Sequence, residues 1–148
     1  MDQIVTNNLD YGNEIARASR VFYDPKCHAN IARVRDGECL AGVVYTNFNH
    51  ESVQCHTAVF ADHGMNRDLL FCGFDYPFHQ LDVKRMFGFV NETNADALHF
   101  NTNLGFREVA RIEGFFPHGA TCIVMRLDRE DCRFLRIKPR GIALPPKH

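Results

Sequence analysis

The Asp36-Gly37 dipeptide constrains this chain more than any other pair of neighbours. It stands between two runs rich in β-formers, with Ile31 and Val34 before it and Leu40, Val43 and Tyr45 after it. Asp-Gly tolerates the two positive-φ positions that a tight hairpin turn needs, so the two runs are expected to pair antiparallel. A sheet is thereby required, and every amphipathic segment in the rest of the chain has to pack on it.

Those segments can be read in order. "IVTNNL" reads as a short first strand, and Asp10 as the cap of a helix reaching Phe22, with Ile15, Ala18, Val21 and Phe22 at helical spacing. "SVQCHTAVF" is a further strand. Gly64 breaks that pattern and Asn66 can cap a helix in which Leu70, Phe71, Phe74 and Phe78 recur at three- and four-residue spacing. Pro77 removes a hydrogen bond from this helix, and two outcomes stay open: a kink at the pliable Gly73, or a restart capped by Asp75. "VKRMFGFV" is a central strand. "VNETNADALHFNTNLGF" then reads as a strand end, a cap at Asn94, a helix over 95–103 and a stop at Gly105. "REVARIEGFF" and "ATCIVMRLD", joined by "PHGA", form a closing hairpin. The order is β-α-β-β-β-α-β-α-β-β, an α/β (α+β) arrangement without internal repeats.

With 148 residues there is room for one core, which would bury roughly 70% of the surface the unfolded chain exposes. The expected domain covers 1–132, and a basic, proline-containing tail over 133–148 (with Arg133, Arg136, Lys138 and Arg140) docks partly and otherwise lies solvated. A formal net charge of -1 argues against a surface built to grip phosphate backbones, so nucleic acid is not expected as a partner. No run approaches the ~20 apolar residues of a membrane span, and the N-terminus carries acids and amides, so a cytoplasmic location is expected. The six cysteines are scattered without CxxC spacing and read as reduced, packed thiols. The eight histidines show no ligand spacing, and no metal is expected.

Three stretches, in this order, resemble the GNAT superfamily of acetyl-CoA-dependent N-acetyltransferases: "LLFCGFDYPFHQLDVKRMFGFV", "VNETNADALHFNTNLGF" and "REVARIEGFFPHGATCIVMRLDREDCRFL". The likeness runs from about Ile4 to Leu135. It is strongest to the branch that includes ribosomal-protein N-terminal acetyltransferases and bacterial and phage relatives. The resemblance implies a mixed, mostly antiparallel twisted sheet, splayed between its fourth and fifth strands and flanked by helices. It also implies acetyl-CoA as acyl donor and a primary amine as acceptor, joined by direct attack in a ternary complex, with a homodimer possible.

The same resemblance distributes roles along the chain. The pantetheine arm would run along the strand edge from about His56 through Val59, Phe60 and Ala61. The pyrophosphate would meet Gly64, Met65, Asn66 and Arg67 at the start of the second helix, where backbone N–H groups and a positive dipole end suit an anion. Only Gly64 matches the superfamily's usual phosphate loop. Asn94, Phe100 and Asn101 fall where family members contact the cofactor arm. His56 is the first candidate base, because an imidazole titrates in the useful range, and Glu92 and Glu51 follow it. Phe22, Tyr23, Tyr76 and His118 would line the acceptor side.

Asn101 stands where many members carry a tyrosine acid. An amide can donate a hydrogen bond to sulfur but cannot act as a general acid. Two readings therefore remain: a working N-acetyltransferase, and a catalytically degenerate domain of the same fold that binds a ligand or partner.

Overall fold

The computed structural model describes residues 1–137, so Lys138 and Arg140 of the expected tail lie outside the described residues. The Asp36-Gly37 turn forms with φ of 52° and 82°, and the strands on either side, β2 (Ala29–Arg35) and β3 (Glu38–Thr46), pair antiparallel. The other strands are β1 (Asp2–Thr6), β4 (Ser52–Val59), β5 (Arg85–Asn91), β6 (Arg107–Ile112) and β7 (Cys122–Asp128). They join one seven-stranded sheet in the order β1-β2-β3-β4-β5-β7-β6. Every neighbouring pair is antiparallel except β4 and β5, which run parallel. The expected mixed sheet is present.

Three α-helices among the described residues cover it: α1 (Leu9–Ser19), α2 (Arg67–Asp75) and α3 (Ala95–Leu104). The cap of α1 is Asn8 and not Asp10: the Asn8 Oδ1 accepts from the Tyr11 N–H at 3.0 Å. Asp10 lies in the first turn, where the helix dipole favours a carboxylate. The helix also stops earlier than its apolar spacing suggests. Arg20 adopts the left-handed conformation and its N–H returns to the Ala16 and Arg17 carbonyls, which leaves Phe22 and Tyr23 in the following loop.

At Pro77 the helix does not restart from a cap at Asp75. Helix α2 widens into a π-helical turn, Tyr76–Gln80, in which the Leu81 N–H reaches the Tyr76 carbonyl five residues back at 2.9 Å. Widening the turn accommodates the residue that cannot donate. Asp75 caps nothing there; its carboxylate bonds His79 Nδ1 at 2.8 Å and Gln80 Nε2 at 3.2 Å.

Strand alternation sends side chains to two cores. Ile31, Val43, Val53, Met86, Ile123 and Leu127 meet α2 and α3 on one face, around Leu69 and Phe78. Ala32, Val34 and Val44 meet Ile15 and Ala16 of α1 on the other. Full burial of a side chain such as Ile15 is worth roughly 1.5–3 kcal/mol, enough to fix α1 on β2–β4. After β7 the chain returns across the α2 side. Phe134 stacks on Phe74 at 5.1 Å, and an Arg133 guanidinium N–H donates to the Asn103 carbonyl at 2.6 Å. All six cysteines are free thiols, four of them buried. No described helix is long and apolar enough to cross a membrane.

Candidate active site

The parallel ladder between β4 and β5 is only three pairs long: Ser52 with Arg85, Val53 with Met86, and Gln54 with Phe87. Over the same length β4 stays paired to β3 as far as Val59, and β5 stays paired to β7 as far as Asn91. The two strands therefore diverge beyond Gln54 and Phe87. A gap opens in the middle of the sheet, and the backbone edges that face it are left for another partner. At its vertex the Cys55 thiol reaches the Phe87 carbonyl at 3.6 Å.

On the α2/α3 face this gap opens into a cleft of about 410 Å³, part of it open to solvent. Strand β4 contributes Cys55 and Thr57; α2 contributes Leu69, Leu70, Gly73 and Phe74; α3 contributes Phe100, Asn101 and Leu104. Val43, Met65, Met86 and Phe106 complete an almost wholly apolar wall. Its polar side chains are Cys55, Thr57 and Asn101. The Asn101 amide nitrogen lies against β5 at Gly88, where an added Cβ would stand only 3.3 Å from it. Burial pushes the Cys55 thiol up to about 12, so it stays protonated. The cleft thus offers hydrogen-bond donors to a buried anion or sulfur, but no group acidic enough to release a proton near neutral pH.

The turn leading into α2 is built differently from what the sequence suggests. Gly64 is buried, and a Cβ there would come within 2.3 Å of the Leu40 carbonyl oxygen and 3.0 Å of the Ala61 carbonyl oxygen. Its missing side chain therefore makes room for strand β3. The Leu40 oxygen also accepts the Phe60 and Ala61 N–H groups at 2.9 and 3.2 Å. Arg33 clamps the turn from beneath: its side chain, only 8% exposed, donates to the His63 and Gly64 carbonyls at 2.8 and 2.9 Å and pairs with Asp2 at 2.8 Å. Arg35 and Arg33 hold the Asp2 carboxyl well below the usual carboxylate range. Because a trans peptide is planar, a Gly64 carbonyl aimed at Arg33 makes the Met65 N–H project away from it. Asn66 then caps α2, its Oδ1 accepting from the Leu69 N–H at 2.9 Å, as expected.

His56 follows Cys55 on β4 and so points to the opposite face, toward α1. Its Nε2 lies 2.9 Å from the Thr46 hydroxyl. Burial, with a smaller contribution from His28, lowers its pKa to about 4. It is therefore neutral at physiological pH. Tyr23 is buried in the α1 core, its hydroxyl accepting from Asn30 Nδ2 at 2.8 Å and its ring 6.1 Å from that of His28.

The remaining sequence-picked residues scatter. Phe22 is 78% exposed in the loop after α1. Tyr76 is not a lining residue but belongs to the α2 core, 5.2 Å from the Tyr45 ring. Glu51 sits at the closed end of the β4–β5 ladder, paired with Arg85 at 3.0 Å. Glu92 and His118 are exposed, the first just past β5 and the second at positive φ in the β6–β7 turn. Val59 and Phe60 are exposed at the end of β4. Asn94 caps α3, accepting from the Ala97 N–H at 3.1 Å, and does not line the cleft.

Of the residues picked from sequence, the cleft collects Met65, Phe100 and Asn101. Sequence reasoning missed Cys55, Thr57, Gly73 and Met86. A signal for two of these existed: in a strand, neighbours of His56 must face the other side, so choosing His56 implied Cys55 and Thr57 for the opposite wall.

No protein-family model matches the chain, and no match was found among curated protein sequences. Solved structures do match. A mutant form of the spermidine/spermine N-acetyltransferase from Vibrio cholerae superposes with a TM-score of 0.70 at 14% identity, covering 88% of this chain and 96% of that one. The V. cholerae spermidine N-acetyltransferase in complex with CoA and spermine gives 0.67 at 14% identity, with 88% and 96% covered. The ribosomal-protein-S18-alanine N-acetyltransferase from Escherichia coli gives 0.65 at 19% identity, with 86% and 94% covered. The chain therefore has the fold of the GNAT N-acetyltransferases.

Proposed function

We propose that, on this GNAT fold, the chain transfers an acetyl group from acetyl-CoA to a primary amine. The observation that carries the reading is the gap beyond Gln54 and Phe87, which opens into an apolar cleft crossed by the Asn101 amide. A peptide-like pantetheine arm suits an unpaired strand edge, here that of β4 from His56 to Val59. The start of α2, with Asn66, Arg67 and the Met65 N–H directed away from Arg33, suits the pyrophosphate. Asn94, at the head of α3, would meet the arm on that side. One structural neighbour holding CoA and an amine together supports a ternary arrangement.

Acetyl-CoA brings a thioester: the amine nitrogen bonds to its carbonyl carbon, the C–S bond breaks, and the nitrogen loses a proton. The chain's own groups divide around this. Backbone N–H groups at the gap polarise a carbonyl, in the manner of an oxyanion hole. Asn101 and Thr57 donate hydrogen bonds to a departing sulfur, whose proton comes from solvent because the cleft holds no acid. The acceptor enters from the α1 face. A His56 of pKa about 4 accepts a hydrogen bond there but is a weak base, so the amine reaches its neutral form chiefly through water. Reduced thiols and acetyl-CoA as donor both fit a cytoplasmic setting.

The lack of an acid in the cleft also favours a second reading, a domain that binds CoA or a partner without turnover. Calorimetry and thermal shift with CoA, followed by thiol release over a panel of amines, separate the two. Ligand at about 100 times Kd stabilises by about 2.7 kcal/mol, so no shift at millimolar CoA rejects both CoA readings. A shift without thiol release selects the binding module.

A further inference from the structure

Helix α1 packs on β2, β3 and β4, so the same face of β5, β7 and β6 lies beyond it. That face carries Phe87 and Phe89 on β5, Arg126 and Asp128 on β7, and Arg107 on β6, all opposite in alternation to the core residues Met86, Met125 and Leu127.

Its charges are unbalanced. Asp128 is shared by three guanidiniums, from Arg126 at 3.0 Å, Arg107 at 3.3 Å and Arg85 at 3.4 Å. Arg85 also pairs with Glu51 at 3.0 Å, and Lys84 approaches the same carboxylate at 3.7 Å. Four cations thus meet two carboxylates, and both carboxylates are engaged. Among the described residues, β5, β6 and β7 put no further carboxylate on this face for a cationic acceptor, and the cluster keeps positive charge for an anionic one. Arg126 is in register with Phe87, which pairs with Gln54 at the vertex of the gap. With strands ~4.8 Å apart, the Arg126 Cα lies about 10 Å from Gln54. Farther along β5, Phe89 packs on Phe115 at 5.7 Å and Phe115 on Phe116 at 4.9 Å, forming an apolar shelf.

We infer that the acceptor amine is the N-terminus of a peptide with acidic side chains in its first few positions, an inference that rests on the acyltransfer reading of this site. An extended peptide advances ~3.3 Å per residue, so an amine at the gap places its third or fourth residue beside Arg126. A polyamine would meet Arg85, Arg107 and Arg126 with like charge. A nucleic acid fits less well, since the cations are interleaved with carboxylates and the chain's net charge is -1.

The test uses the full chain and fluorescent peptides of equal length with free N-termini, carrying Glu or Lys at their third and fourth residues. Anisotropy is read with and without CoA, and CoA binding is measured separately by calorimetry. The acidic peptide is expected to bind at least about tenfold tighter than its lysine counterpart, ~1.4 kcal/mol. The difference should collapse near 1 M salt, where the Debye length is ~3 Å. Arg126→Glu should invert the preference, and Arg107→Glu, at a more exposed position, should weaken it, each checked for folding by its urea midpoint. Equal binding of the two peptides, displacement of the acidic peptide by spermidine, or an unchanged preference in both variants overturns the inference. Displacement by oligouridylate overturns it in favour of RNA. Loss of CoA binding with the acidic preference intact rejects the acyltransfer reading and leaves a peptide-binding face. CoA binding with best turnover on spermidine does the reverse.

Discussion

Replacing Gly64 with alanine separates two roles that the sequence cannot tell apart. If the glycine serves a bound pyrophosphate, Gly64→Ala should lose CoA affinity and keep its stability. The structure argues the opposite. The new methyl would sit 2.3 Å from the Leu40 carbonyl oxygen, far inside van der Waals contact, and 3.0 Å from the Leu40 carbonyl carbon and the Ala61 oxygen. These are backbone atoms, so no rotamer change relieves them. The Leu40 oxygen also holds the Phe60 and Ala61 N–H groups, and the Gly64 carbonyl holds Arg33, so moving either strand or turn disturbs those bonds. Overpacking of this kind costs about 1–3 kcal/mol, and each weakened hydrogen bond about 0.5–1.5 kcal/mol more. A total of about 2–4 kcal/mol is expected, against a whole-domain stability of about 5–15 kcal/mol. In urea, with m near about 2 kcal/mol/M, the midpoint should fall by about 1–2 M with m unchanged, and Tm by roughly 5–15 °C. A loss below about 1 kcal/mol together with abolished CoA binding would refute the packing argument and return Gly64 to the ligand.

Three further substitutions test neighbouring steps. Arg33→Met leaves Asp2 and two carbonyls without their buried partner and should cost about 3 kcal/mol. It should also weaken CoA more than pantetheine, which lacks the pyrophosphate; equal losses for both ligands would separate the arginine from the phosphate end. His56 has a folded pKa of about 4, below the ordinary value of 6.5, so between those values the unfolded chain binds the extra proton and stability falls as pH drops from about 6.5 to about 4. His56→Gln should flatten that decline, worth up to about 3 kcal/mol at its acid end, and should leave the pH dependence of turnover above pH ~6 unchanged; a lost acid limb there would restore His56 as the base. Asn94→Ala should cost the cap, about 1 kcal/mol, and lower CoA affinity by more than that loss explains, whereas an unaltered affinity in the folded variant removes Asn94 from the pantetheine contact.

The sequence by itself determined whatever depends on neighbours in the chain. Asp36-Gly37 set a hairpin, Asn66 and Asn94 set two helix starts, Gly105 set one helix end, and alternation set which residues of β4 share a face, because each follows from local φ/ψ preference or a fixed period. Local rules failed where two residues competed for one task. Asn8 took the cap from Asp10 because the chain entering α1 is extended at Asn8, and Pro77 was absorbed by a π turn that no propensity scale anticipates. The candidate site belongs to the tertiary structure. That β4 and β5 part company after Gln54 and Phe87 depends on pairing partners more than thirty residues apart. The reason for Gly64, an oxygen on β3, is also tertiary, and so is the lowered pKa of His56, which comes from the burial around it. Spacing along a chain specifies elements; distances between strands and the dielectric around a side chain exist only once those elements have packed.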